Sequence, residues 1–146
     1  MTATGYKYLL FTLHGRRYAV DLAQVAEIEE PPTLWPIPGV PACYPGAMNF
    51  HGSIVAVMDL AAFLGHPAAT PPEKVIVLAP AIASLALLVE RVEGIVPGEK
   101  ARFSDEVRKP DKPYSSGTLT LADGSDAELF DVTELARVAA ERMATV

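Results

Sequence analysis

Cysteine is almost missing from this chain: Cys43 is the only one in 146 residues. A single thiol rules out an internal disulfide and any cysteine-based zinc site, and it fits a reduced compartment. Basic residues are also scarce, 12 against 18 acidic ones, for a net charge of −6. Phosphate binding needs a basic face, so nucleic acid is not an expected partner. Long hydrophobic runs are lacking too. The best candidate, Val75–Val89, covers 15 residues and contains Pro80, whereas a spanning helix needs roughly 20. Paired buried strands explain it better, and no direct membrane insertion is expected. No cleavable targeting segment is visible near Lys7. A cytoplasmic location is the expectation.

The usual signs of catalysis are equally thin. The glycines form neither a Gly-x-Gly-x-x-Gly loop nor a Gly-x4-Gly-Lys loop, so no phosphate cradle is expected. His14, His51 and His66 lack the His-x-His or His-x3-His spacing of a metal site. Ser53 near His51 and Asp59 invites a hydrolase reading, but no Gly-x-Ser-x-Gly elbow is present. Cys43 has no cationic sequence neighbour to activate it. The expectation is a protein with no enzymatic activity, no cofactor and no metal.

What the chain does have is half its residues hydrophobic, enough for a sizeable core. β-branched and aromatic runs are broken by Gly, Pro and Asp in the manner of an all-β protein. Strands are expected over Tyr6–Leu13, Arg16–Asp21 and Ala26–Glu30, with a helical turn capped by Asp21 between the last two. Six prolines between Pro31 and Pro45 mark a stiff surface connection. Further strands are expected over Lys74–Ala79, Leu85–Val89, Arg91–Val96, Tyr114–Leu121 and Asp126–Phe130, about ten in all, with Pro97–Pro113 irregular. Asp131 and Glu134 resemble a capping box opening a final helix, whose stripe Val132, Leu135, Val138, Ala139 and Met143 faces the core.

The most informative stretch is Tyr44–Leu60, a strand, a tight turn and a second strand. The second strand, Ile54–Met58, is apolar on both faces, so it is not an ordinary half-solvated hairpin arm. Asn49 and His51 set a small polar group at the turn.

Taken in order, these blocks resemble the CheW family of bacterial chemosensory adaptors. Tyr18-Ala19-Val20-Asp21-Leu22 with Val25-x-Glu27-Ile28 is similar to its second strand and following turn. Tyr44-x-Gly46-x-x-Asn49-x-x-Gly52 with Val57-x-Asp59-Leu60 resembles its most diagnostic motif. Leu87-Leu88-Val89-Glu90-Arg91-Val92 and Leu129-Phe130-Asp131 match later blocks.

The resemblance implies two small five-stranded SH3-like barrels on a shared core with a C-terminal helix. It implies a single domain over 1–146, with subdomains near 14–65 and 73–130 divided at His66–Pro72. The implied function is a non-catalytic adaptor joining chemoreceptor cytoplasmic tips to the regulatory domain of a CheA-type histidine kinase. The alternative is a divergent member with altered or lost receptor binding that serves another sensory pathway or self-associates. Partner contacts are carried over to Val25, Glu27, Gly46, Asn49, His51 and Gly52. One position departs: the family motif Asn-x-Arg-Gly reads Asn49-Phe50-His51-Gly52 here. Arginine offers a permanent forked charge, whereas histidine is shorter and mostly neutral at pH 7.

Overall fold

Successive side chains on a strand point to opposite sides, so one strand can serve two apolar compartments. This chain uses that property repeatedly. The computed structural model describes residues 6–66, 72–105 and 110–144. Two antiparallel-dominated sheets share one core between them.

The first sheet has six strands: β1 (Lys7–Leu13), β2 (Arg16–Asp21), β8 (Arg91–Pro97), β9 (Ala101–Asp105), β10 (Ser115–Leu121) and β11 (Asp126–Phe130). Their order is β8-β1-β2-β11-β10-β9, with β2 and β11 parallel. The second has five: β3 (Val25–Glu29), β4 (Gly46–Phe50), β5 (Ser53–Asp59), β6 (Lys74–Leu78) and β7 (Leu85–Val89). Their order is β3-β6-β7-β5-β4, with β5 and β7 parallel.

Apolar residues sort into three clusters by this alternation. Leu9, Phe11 and Leu13 of β1, Ile76 and Leu78 of β6, and Leu85, Leu87 and Val89 of β7 meet in the core between the sheets. The intervening Val75, Val77, Ala86 and Leu88 face instead into the five-stranded unit, with Met48, Val55 and Val57. Leu10, Ala19, Leu119 and Ala127 do the same for the six-stranded one. Alanine recurs on the inward faces because a small barrel leaves little room there. The runs apolar on both faces are strands between two cores.

Two short helices complete the frame. Asp59 caps α1 (Leu60–Phe63), its Oδ1 accepting the Ala62 N–H at 3.3 Å. α2 (Val132–Ala144) buries Val132, Leu135, Val138 and Ala139, and Met143 packs beside them, the stripe expected from its spacing. Arg142 fastens it, its guanidinium 4.1 Å above the Phe63 ring and Nη1 donating to the Phe63 carbonyl at 3.1 Å. Among the described residues no helix is long and apolar enough to cross a membrane.

The all-β architecture with a C-terminal helix is as expected, with three differences. One sheet has six strands, not five, giving eleven strands in all among the described residues. The span 97–113 is not wholly irregular: a 3-10 turn, Gly98–Lys100, leads into β9. The expected subdomains 14–65 and 73–130 do not coincide with the sheets. β2 joins the strands near the C-terminus, and β6 and β7 join β3–β5, because parallel pairing of β2 with β11 and β5 with β7 draws distant segments together. Most of the expected His66–Pro72 break, residues 67–71, lies outside the described residues.

Candidate partner interface

The β4–β5 hairpin turns on two residues, His51 and Gly52, with φ of 49° and 85°. Two consecutive positive φ values define the tight turn that matches strand twist. Asn49 stabilises it, Oδ1 accepting the Gly52 N–H at 2.9 Å. Asn49 therefore has a local role that sequence alone left open.

The hairpin tip reaches across to β3, the opposite edge of the same sheet. His51 Nε2 lies 3.3 Å from Glu27 Oε2. Both side chains stay open to solvent, 71% and 45% exposed, so water screens the pair. The Phe50 ring meets the His51 ring edge-on at 4.4 Å and limits where the imidazole can point.

Four of the six expected contact residues thus gather at one exposed place: Glu27, Asn49, His51 and Gly52. The other two lie elsewhere. Val25 opposes Leu78 and packs partly against the shared core, and a bulge separates it from Glu27. Gly46 is buried at the far end of β4, where a Cβ would stand 2.5 Å from the Trp35 carbonyl oxygen. Trp35 pairs there with Ala47, N–H to carbonyl in both directions at 2.9 and 2.8 Å. Gly46 thus has a backbone reason for being glycine.

Sequence reasoning missed Ile54. It belongs to the run expected to be buried, yet it is 81% exposed. Ile54 opposes Asn49 across the hairpin and continues the side of β5 that carries Ala56 and Met58 beyond the end of the shared core. Its position directly across from a turn-holding polar residue was the available signal. Trp35 is also 57% exposed on the proline-rich connection.

The residues considered for chemistry are placed apart or engaged locally. Asp59 caps α1 at the far end of β5 from His51. Burial pushes the Cys43 thiol above its ordinary range, against a smaller opposing influence from Arg142. His14 and His66 face each other with ring centroids 4.9 Å apart, and Glu90 Oε2 accepts the backbone N–H of His14 at 2.9 Å. Among the described residues no three His, Cys, Asp or Glu side chains group as metal ligands.

Comparison with known proteins agrees with this architecture. "Chemotaxis protein CheW" of Rhizobium meliloti (strain 1021) is 28% identical over 98 residues, 66% of this chain and 63% of its own length. The protein of the same description from Bacillus subtilis (strain 168) is 27% identical over 95 residues, 64% of this chain and 61% of its own. Both matches span less than two thirds of those relatives. The crystal structure of scaffolding protein TtCheW from Thermoanaerobacter tengcongensis superposes with a TM-score of 0.74 at 21% identity, covering 90% of each chain. That likeness establishes a common fold. The family model described as the CheW-like domain matches residues 7–140, and the chain belongs to that family.

Proposed function

We propose that the chain is a non-catalytic adaptor of a chemosensory pathway, acting in the cytoplasm as one domain over residues 1–146. It couples chemoreceptor cytoplasmic tips to the regulatory domain of a CheA-type histidine kinase, and needs no cofactor or metal. The observation that carries this reading is the exposed Glu27–His51 contact at a rigid turn. An exposed polar contact of this kind contributes little to folding, so its placement is better explained by a partner. Glu27 and His51 meet the partner directly. Asn49 and Gly52 hold the turn that presents them, while Val25 and Gly46 set the ends of the two edge strands. The kinase docks barrel to barrel and the receptor tip lies between the barrels. Binding to purified kinase regulatory domain and receptor tip fragments, measured by calorimetry, tests it. Absence of binding to both overturns it.

A second reading, a divergent adaptor with altered or lost receptor binding that serves another pathway or self-associates, is favoured by one observation. Histidine stands where the family has arginine. His51→Arg discriminates between the two. If the imidazole tunes the interface, the variant binds with changed affinity and a different pH profile, because arginine is permanently charged. Identical binding and pH profiles would reduce His51 to a turn residue.

A further inference from the structure

The two sheets also meet away from their shared core, through a pair of histidines carried by one sheet each. His14 sits in the β1–β2 turn of the six-stranded sheet, at a φ of 49°. His66 follows α1, which continues directly from β5 of the five-stranded sheet. Their rings lie 35° from parallel with centroids 4.9 Å apart. Both backbones are pinned: Glu90 Oε2 accepts the N–H of His14 at 2.9 Å, and the Ala61 carbonyl accepts the N–H of His66 at 2.9 Å.

The charges around the pair are uneven. Glu90 stands on the His14 side. His66 opens on a small cavity of about 60 Å³ that it shares with Arg16 and Lys112, both exposed, and with Glu128, half-buried. Tyr18 and Tyr114 line it too, and burial holds both phenols above their ordinary range, so they add no charge near neutral pH. Facing neutral imidazoles attract, and one protonated ring beside a neutral one is a cation against a π-system. Two protonated rings repel. A first proton is best placed on His14, beside the Glu90 carboxylate. A second, on His66, meets that charge together with Arg16 and Lys112, with Glu128 alone in its favour.

We propose that His14 and His66 form a proton-sensitive latch between the two sheets, closed while the pair holds no more than one proton and opened by the second. Imidazole changes charge within the physiological pH range, so mild acid is the signal such a pair can read. With both backbones pinned, the rings relieve their repulsion by swinging out into solvent or by parting the β1–β2 turn from α1. The stability that the contact supplies is present near neutral pH and is lost as pH falls and the second proton binds. The pair lies at the far end of β5 from His51, so the latch stands whether or not the proposed adaptor function does.

The test uses the full chain with His14→Asn, which tolerates positive φ, with His66→Gln, and with both changes together, each checked by circular dichroism. Unfolding in urea is compared at about pH 7.5 and about pH 5, a span that brackets histidine's change of charge. Other titrating groups are common to all four proteins and cancel in the double-mutant cycle. The coupling between the two positions, read as a ratio of unfolding constants, is expected to become at least about threefold less favourable in acid. A smaller change, or one in the opposite direction, would overturn the proposal. If a variant fails to fold, the unaltered chain decides by nuclear Overhauser contacts between the two rings. Those contacts are expected at the higher pH and absent at the lower, and their persistence in acid would overturn the latch.

Discussion

Glu27 and His51 are 24 residues apart in sequence and belong to opposite edges of one sheet, yet Oε2 and Nε2 lie 3.3 Å apart. The contact ties β3 to the tip of the β4–β5 hairpin, drawing the two edges of the five-stranded sheet toward each other. Edge strands invite unwanted pairing, and drawing them together limits that exposure.

Because the pair is exposed, its two roles separate experimentally. His51→Asn keeps a residue that tolerates positive φ at the turn. Glu27→Gln keeps the shape of β3. Each is expected to change unfolding free energy by less than about 0.5 kcal/mol in urea titrations. Each should also weaken partner binding by a clearly measurable factor. A large stability loss with binding intact would assign the pair to folding instead.

Gly46 tests the proline-rich connection. In Gly46→Ala the new methyl meets the Trp35 carbonyl oxygen at 2.5 Å and the Leu34 Cβ at 3.2 Å, so the connection must move away from β4. The expected cost is about 1–3 kcal/mol, as for other overpacked sites. Trp35 is the only tryptophan, so its fluorescence reports the displacement without ambiguity. An unchanged emission spectrum and unfolding midpoint would contradict the close approach.

Neighbouring residues of β7 should fail in opposite ways. Leu87 lies in the core between the sheets and is fully buried, so Leu87→Ala opens a cavity costing about 2–5 kcal/mol. Ala86 faces into the five-stranded unit, where Ala86→Leu adds volume and costs about 1–3 kcal/mol by strain. Xenon or benzene binding distinguishes the mechanisms: only the Leu87 variant should bind such a probe. Tolerance of leucine at 86 would mean that compartment is not tightly filled.

Alkaline pH should unfold the chain through its tyrosines. All five are held above their ordinary range, in each case chiefly by burial. Tyr6 is pushed up to about 12, with the charge of Asp21 adding to burial. A raised folded value favours the protonated phenol in the native state. The resulting stability is fully present below the unfolded value of 10.0 and is lost as pH rises through the folded values. Phenolate absorbance should therefore lag the titration of free tyrosine and then rise together with loss of circular dichroism. Titration at ordinary values in a protein that stays folded would contradict this.

Local features of the fold were legible in the sequence because they have local causes. His51-Gly52 marks a turn by backbone conformation, and Asp21 and Asp131 mark helix starts through carboxylates that accept freed amides. β9 was not legible. Ala101–Asp105 has almost no buried side chains, so hydrophobic alternation carries no signal there, and its pairing with β10 depends on Gly117. At Gly117 a Cβ would stand 2.3 Å from the Ser104 carbonyl oxygen.

The partition into sheets was hidden for a different reason. β2 meets β11 through Tyr18 opposite Glu128 and Ala19 opposite Leu129, and nothing near either segment announces the other. The candidate site was readable as a turn with a polar tip. That Glu27 would meet His51, and that Ile54 would be open to solvent, depended on how the sheet curves.

The interleaving of the two sheets sets an order of events during synthesis. All strands of the five-stranded sheet lie within residues 25–89, so that sheet can be complete while the rest of the chain is still being made. The β1–β2 hairpin, though first to emerge, must wait with both edges open until β8 arrives on one side and β11 on the other. Contacts across such separations are slow to form and leave edges exposed meanwhile. A chain halted just past residue 89 would carry a finished sheet beside an orphaned hairpin, with the face meant for α2 bare. Such a fragment should be prone to aggregate even though half the protein's architecture is already in place.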